Sequence, residues 1–405
     1  MRTTVSKARL AGIGLCGSLT AFGFGRFAYT ALLPPMRTDL TLSYSAAGGL
    51  ASANLFAYLI GAAAAGMLIG KAGPQRLLPA AMTIICLPLF GLSVSHAYAT
   101  LIIFMVLLGV VGAFLWISVV ALLTGPSVPA GERGGLLGLT ALGSGWGIPV
   151  VAILVTVLQV NQDPSRWRTA WLAMGLVSTV LAAGTWWAIW PSGDGRPGRS
   201  LGPRSQRGSI LGNLRGRPAR RICLIYGMYG FGFSVFVTFA VAFLRLHVSA
   251  GASLRIWALL GLSAGVGGLL IGRGSDRWGR RRTLTMSLVA TGVAAGLPIW
   301  TSSLPVVLIS VIGFGFPMIG VGTVVAAYIG DLFCDTARSG SLFATATVLF
   351  GVGQGAGPGV AGFLIDRTGS FTGPFILSSV TLLVAAAIAS RLRPARQIGG
   401  VTCTG

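Results

Sequence analysis

Acid is what this sequence has least of. Of 405 residues only 8 are Asp or Glu, against 30 Lys or Arg, and charged residues of both signs make up 9% of the chain. A soluble domain carries about 25%, so an ordinary water-facing surface is excluded. With 54% hydrophobic residues and a mean hydropathy of +0.81, the chain belongs in lipid. Histidine is nearly absent too: His96 and His247, together with Cys16, Cys86, Cys223, Cys334 and Cys403, offer no metal-ligand spacing and no C-x-x-C pair. The cysteines read as free thiols, and no metal or other cofactor is expected. Nor is there a nucleophile–base constellation to support an enzyme. The net charge of +22 would suit nucleic acid, but the basic residues fill short gaps between apolar runs instead of forming a patch, so no nucleic-acid partner is expected. Lysine occurs only at Lys7 and Lys71, and that arginine bias fits a GC-rich bacterial genome.

Long apolar runs are what the chain has in place of charge. About 20 apolar residues cross the hydrocarbon core as a helix. That ruler predicts twelve spans, at 9–34, 45–70, 77–95, 98–124, 135–159, 169–190, 222–245, 254–272, 283–302, 304–330, 340–365 and 372–391. The first run is too long for a signal peptide. If the N-terminus is inside, inner segments hold 23 of the basic residues and outer segments six, which predicts cytoplasmic termini in a bacterial inner membrane. The hydrophilic stretch 191–221, rich in Gly, Pro, Ser and Arg, reads as a cytoplasmic linker that could also touch anionic lipid. It divides the chain into a bundle at 1–190, a second at 222–392 and a tail at 393–405.

The densest charged stretch, Gly272-Arg-Gly-Ser-Asp276-Arg277-Trp-Gly279-Arg280-Arg281-Arg282, reads G-x-x-x-D-R-x-G-R-R. Gly272 permits close helix approach, Gly279 a tight reversal, and Asp276 can hold a neighbouring arginine. A degenerate copy, Gly66-x-x-x-Gly70-Lys71-Ala-Gly73, precedes it by 206 residues, with glycine in place of the aspartate. Gly23-Phe-Gly-Arg26 and Gly230-Phe-Gly-Phe233 echo each other at 207, and Arg133 and Arg338 at 205. Echoes at nearly one offset predict two parallel repeats. These features resemble the major facilitator superfamily. The strings Gly23-Phe-Gly-Arg26-Phe-Ala-Tyr29-Thr and Ser52-Ala-Asn54-Leu are similar to its bacterial YbfB/YjiJ branch. The resemblance implies an all-α membrane protein with twelve transmembrane helices in two pseudo-symmetric six-helix halves. It also implies a latch between helix ends made by Gly272, Asp276, Arg277, Gly279 and Arg280, with Arg133 and Arg338 as further members.

Glycine-rich runs offer no nucleotide site. Gly351-Val-Gly353-Gln354-Gly355-Ala-Gly357-Pro358-Gly359 lies inside a span, without the strand a dinucleotide loop needs, and Gly351, Gly355 and Gly359 share one helix face for close packing.

An ion in the hydrocarbon costs about 2.5–3.5 kcal/mol on insertion scales, so Arg26, inside the first span, needs a reason. It either faces an aqueous cavity and holds an anionic group of a solute, or snorkels against ring faces such as Phe22 and Tyr29. The resemblance implies that spans one, four, seven and ten line a central cavity, flanked by two, five, eight and eleven. Tyr29, Asn54, Tyr58, Trp116, Trp146, Tyr226, Tyr229, Phe233 and Gln354 then become solute-binding candidates alongside Arg26. No carboxylate falls in mid-span; Asp331 and Asp366, at span ends, are the nearest to a proton relay. The expectation is a monomeric secondary transporter, not an enzyme, that moves a small organic solute by alternating access, with an organic anion or carboxylate preferred. The competing readings are efflux of apolar or amphipathic compounds, and a non-transporting membrane receptor or scaffold.

Overall fold

The computed structural model describes residues 7–125, 128–160, 162–189, 216–300, 303–332 and 336–392; the side chains at 130–134 and 336–338 fall outside that description. Among the described residues twelve helices are long and apolar enough to cross a membrane, and there is no strand. They are α1 Lys7–Asp39, α2 Tyr44–Ala72, α3 Pro74–Ser93, α4 Tyr98–Thr124, α5 Ala130–Val157 and α6 Pro164–Ile189 in the first half. The second half holds α7 Arg217–Leu244, α8 Ala250–Trp278, α9 Arg280–Trp300, α10 Leu304–Leu332, α11 Thr336–Thr368 and α12 Thr372–Ala389. An even number of crossings puts the two ends of the bundle on one face, called here the terminal face; the opposite is the far face.

The repeat foreseen in the sequence is written in the helix caps. Ser43 starts α2 by accepting a hydrogen bond from the Ala46 N–H, and Ser249 starts α8 by accepting one from the Ala252 N–H. Such a cap satisfies one of the donors a helix N-terminus leaves open. The same helices end at Gly73 (φ 78°) and Gly279 (φ 88°), in a region that L side chains rarely enter. Each pair of caps is 206 residues apart.

Several helices run a few residues past the hydropathy reading, and at two boundaries the difference matters. The span predicted as 254–272 runs to Trp278, so the charged motif is not a loop: Arg273 to Trp278 complete α8, Arg280 opens α9, and Gly279 alone makes the turn. Charged residues past the hydrocarbon still suit a helix, which hydropathy does not register. For the same reason α7 begins at Arg217, inside the stretch read as linker, while 190–215 and the tail 393–405 lie outside the described residues.

The halves meet along two seams and one smaller contact. At the first seam Gly351, Gly355 and Gly359 of α11 face Leu59, Phe56 and Ser52 of α2, as the four-residue spacing predicts. The Gly359 N–H donates to Ser52 Oγ at 3.0 Å. Near the far face, Gly48 of α2 lies under the Pro358 carbonyl, and Gly362 of α11 lies under the Tyr44 carbonyl. At the second seam Gly145 of α5 backs onto Gly261 and Gly265 of α8. Small residues let helix backbones approach where lipid supplies no hydrophobic drive. The third contact brings the far-face part of α1 against α7.

A candidate solute site between the two halves

The first helix is α-helical over Lys7–Ser18, π-helical over Leu19–Phe27 and α-helical again from Ala28. Stretches of π-helix are frequent at functional sites, and Arg26 sits on this one. Gly23, in the same stretch, lies against the Gly147 backbone of α5, which holds the segment against its own half.

Arg26, Tyr29, Asn54, Phe233 and Gln354 line one cavity at the junction of the halves, with Thr238 toward its far-face side. The space open to water centres is about 30 Å³, room for one or two waters and too little for an organic solute, so the site as it stands is closed. Among the described residues Arg26 has no carboxylate within ion-pairing reach. Its guanidinium donates through Nη2 to Gln354 Oε1 from the other half and lies 5.1 Å from the Tyr58 ring centre and 5.9 Å from that of Phe22.

The other expected residues divide by role. The Tyr29 hydroxyl donates to the Ala47 carbonyl at 2.7 Å, and Asn54 Nδ2 donates to the Met105 carbonyl at 3.0 Å, so both side chains tie helices together. The Tyr229 hydroxyl is likewise spent on the Met318 carbonyl, 2.6 Å away. Trp116 meets Phe22 edge-on at 4.9 Å, completing an aromatic wall with Tyr58 in the first half. Across from it Tyr226 stacks on Phe350 at 4.5 Å and 19°, and Tyr229 joins Phe350 to Phe233. Trp146 is not gathered into this group; it is 47% exposed and leans on Gly265 at the second seam. Sequence reasoning placed Phe22 only as a ring face beside Arg26, which it is, and missed Phe350 altogether, because an apolar ring in a span gives no signal of its own.

The charged motif forms a cluster within the second half. Arg280 donates to Asp276 and to Ser275 Oγ, the latter at 2.6 Å, and its Nε lies 3.2 Å from Asp331 at the end of α10. Gly272 faces Thr323 of α10. Asp331 is therefore a partner of the motif. The first half has glycine at both equivalent positions, Gly70 and Gly125, so it cannot build the same ion pairs. Arg277 forms no ion pair among the described residues, and the side chains of Arg133 and Arg338 fall outside them.

At the far face Asp366 of α11 accepts from the backbone N–H groups of Tyr44 and Ser45, 2.8 and 2.7 Å away, at the first turn of α2. A carboxylate there is favoured by the helix dipole. Tyr44 is also held by the Arg37 guanidinium, 3.9 Å over its ring, and by Phe371 at 5.3 Å. Asp39 accepts from Arg168 at 2.6 Å and from the Trp167 indole at 2.9 Å, within the first half. Asp366 and its neighbours seal the far face across the halves, a role the sequence reading did not assign.

Residues 18–390 match the family model described as "Uncharacterised MFS-type transporter YbfB". The chain belongs to this family of the major facilitator superfamily. In line with that membership, a protein of Cupriavidus pinatubonensis described as "Probable 4-methylmuconolactone transporter" is 24% identical over 355 residues, covering 85% of this chain and 80% of that one. Among solved structures, a D-xylose–proton symporter superposes with a TM-score of 0.79 at 15% identity, covering 97% of this chain and 99% of that one. The nucleoside transporter NupG gives 0.76 at 13% identity, covering 96% and 98%. These two share the fold. The chain is thus a multi-pass membrane transporter of small solutes and not an enzyme.

Proposed function

We propose that this transporter moves a small organic carboxylate by alternating access, with its terminal face in the cytoplasm of a bacterial inner membrane. The observation that carries the reading is Arg26: a cation at the meeting point of the halves with no acid among the described residues to balance it. Charges inside a bilayer mark solute pathways and normally have a partner, and here a solute carboxylate would supply it. The aromatic walls of Phe22, Tyr58 and Trp116 on one side and Tyr226 and Phe350 on the other suit a flat, unsaturated body. The relative from Cupriavidus is named for 4-methylmuconolactone, a small unsaturated lactone with a carboxymethyl group. The excess of basic residues in the terminal-face segments supports the orientation.

Alternation is supported by where the cross-half bonds lie. Asp366 to α2, Ser52 to Gly359 and Arg26 to Gln354 run from the far face to the centre. The motif cluster around Arg280 stays within one half. Among the described residues this pattern supports a state closed at the far face, in which the terminal-face ends are the ones to part.

The test is thermal stabilisation of the purified protein by organic acids, by their neutral esters and by amphipathic cations. A ligand that binds the folded state stabilises it by mass action. Acids should raise Tm, esters should not, and the acid effect should vanish in Arg26→Ala. Shifts from amphipathic compounds that persist in Arg26→Ala would point to efflux of such compounds and retire the carboxylate reading.

A further inference from the structure

We propose that Gln354 is a built-in stand-in for the solute's carboxylate, and that its displacement by the solute releases a tie between the two halves. The inference rests on Arg26 being the anion anchor. Gln354 is 3% exposed and its Oε1 accepts from Arg26 across 328 residues of sequence, from α11 in one half to α1 in the other. An amide oxygen occupies one donor of the guanidinium, as one oxygen of a carboxylate would, but without its charge. Hydrogen bonds to an ionised acceptor are roughly twice as strong, and an arginine–carboxylate pair can be bidentate. A solute carboxylate entering the cavity therefore outcompetes the amide, whereas a neutral solute does not.

The backbone beneath Gln354 cannot retreat to make room. Gly353 is pressed on the Gly227 carbonyl of α7, Gly355 on the Phe56 ring of α2, and Gly357 on Ser234 and the Phe231 carbonyl. Displacement must come from the side chain, which adjoins the one small space in the site. Once it leaves Arg26, the central bond joining α11 to α1 is gone while Asp366 still holds the far face. Binding thus loosens the centre of the interface first. In the empty protein the amide keeps the cation partnered, so the cavity can close without a bound ion.

This makes an unusual demand on truncation: removing a buried, hydrogen-bonded side chain should tighten binding. The experiment measures Kd for 4-methylmuconolactone and for benzoate on the purified full chain, by calorimetry. The proteins compared are wild type, Gln354→Ala, Gln354→Met, Gln354→Glu and Arg26→Ala. Methionine keeps the volume and removes the acceptor, which guards against an alanine variant that packs poorly. The expected result is a Kd lowered by at least about threefold in Gln354→Met or Gln354→Ala, because a competitor worth a net hydrogen bond to a charged group is gone. In Gln354→Glu, where the competitor carries the charge itself, Kd should rise by more than about tenfold. A purely structural Gln354 would weaken binding in every variant or leave all Kd values unchanged, and either pattern overturns the inference. Acid binding that requires Arg26 but ignores position 354 would sink this inference alone. Acid binding that survives Arg26→Ala, or is absent from wild type and the Gln354→Met protein alike, would sink the carboxylate anchor as well.

Discussion

The two-state reading can be tested at a glycine that touches no solute. A Cβ added to Gly48 of α2 would sit 2.2 Å from the Pro358 carbonyl oxygen and 2.9 Å from its carbon, on α11. Ordinary van der Waals contact begins more than an ångström further out. Both atoms are backbone in the facing half, so no rotamer change relieves the clash; the seam itself must part. Overpacking of this kind costs roughly 1–3 kcal/mol, and the cost falls only on the state in which the far-face seam is closed. A bias of that size moves a two-state equilibrium by roughly 5- to 150-fold toward the outward-open form. The readout is labelling of Thr238→Cys by a membrane-impermeant maleimide, in a background with the native cysteines replaced. Thr238 lines the cavity and is 6% exposed. Gly48→Ala should accelerate labelling from the far side at least about fivefold. The control is Gly267→Ala, whose Cβ would meet the Phe316 carbonyl oxygen at 1.7 Å, a clash between α8 and α10 of the same half. It should lower Tm without changing access. Equal labelling rates in Gly48→Ala and its parent would refute the idea that this seam is the one that opens.

Three further outcomes follow from the charged contacts. Asp366→Asn keeps one acceptor for the α2 N-terminus but removes the charge, so labelling of Thr238→Cys from the far side should rise a few-fold, by less than in Gly48→Ala. Asp331→Asn breaks a pair whose side chains are 21% and 40% exposed; it should cost no more than about 1 kcal/mol of stability yet slow the transport cycle. Asp276→Asn should behave in the same way in a proteoliposome uptake assay, with membrane insertion intact. Unchanged uptake in both would leave the motif as a topology signal.

The helices and the repeat were legible because they depend on composition and spacing, which single residues cannot hide. The four-residue glycine spacing in α11 likewise announced a close-packed helix face, though not that α2 would fill it, since a stripe of small residues has one main use in a membrane. Arg26 was legible as a residue needing a partner; the partner was not, because Gln354 and Arg26 are brought together by packing between halves. Asp331 and Asp366 were visible only as acids near span ends. What they hold depends on which helix end arrives opposite them, and neither hydropathy nor spacing carries that information. The charged motif was read as a loop because hydropathy reports the hydrocarbon and is silent about a helix that continues into water.

The π-helical stretch of α1 has a counterpart in the arithmetic of the repeat. Gly23 and Gly25 precede Gly230 and Gly232 by 207 residues, whereas Ser43 precedes Ser249 by 206. Between those landmarks the first half has one residue more than the second, and the Ala28 N–H closes its bond onto the Gly23 carbonyl, five residues back. The equivalent helix α7 is α-helical from Arg217 to Leu244. One residue on an α-helix turns a side chain by about 100°. One extra residue would therefore turn everything beyond it out of register by that angle, unless a wider turn such as this one takes it up. The extra residue lies beyond the Arg26–Phe233 pair, so the cation and the insertion are separate departures from the repeat, and the π turn beside Arg26 is where the longer helix takes up its additional residue without breaking the span.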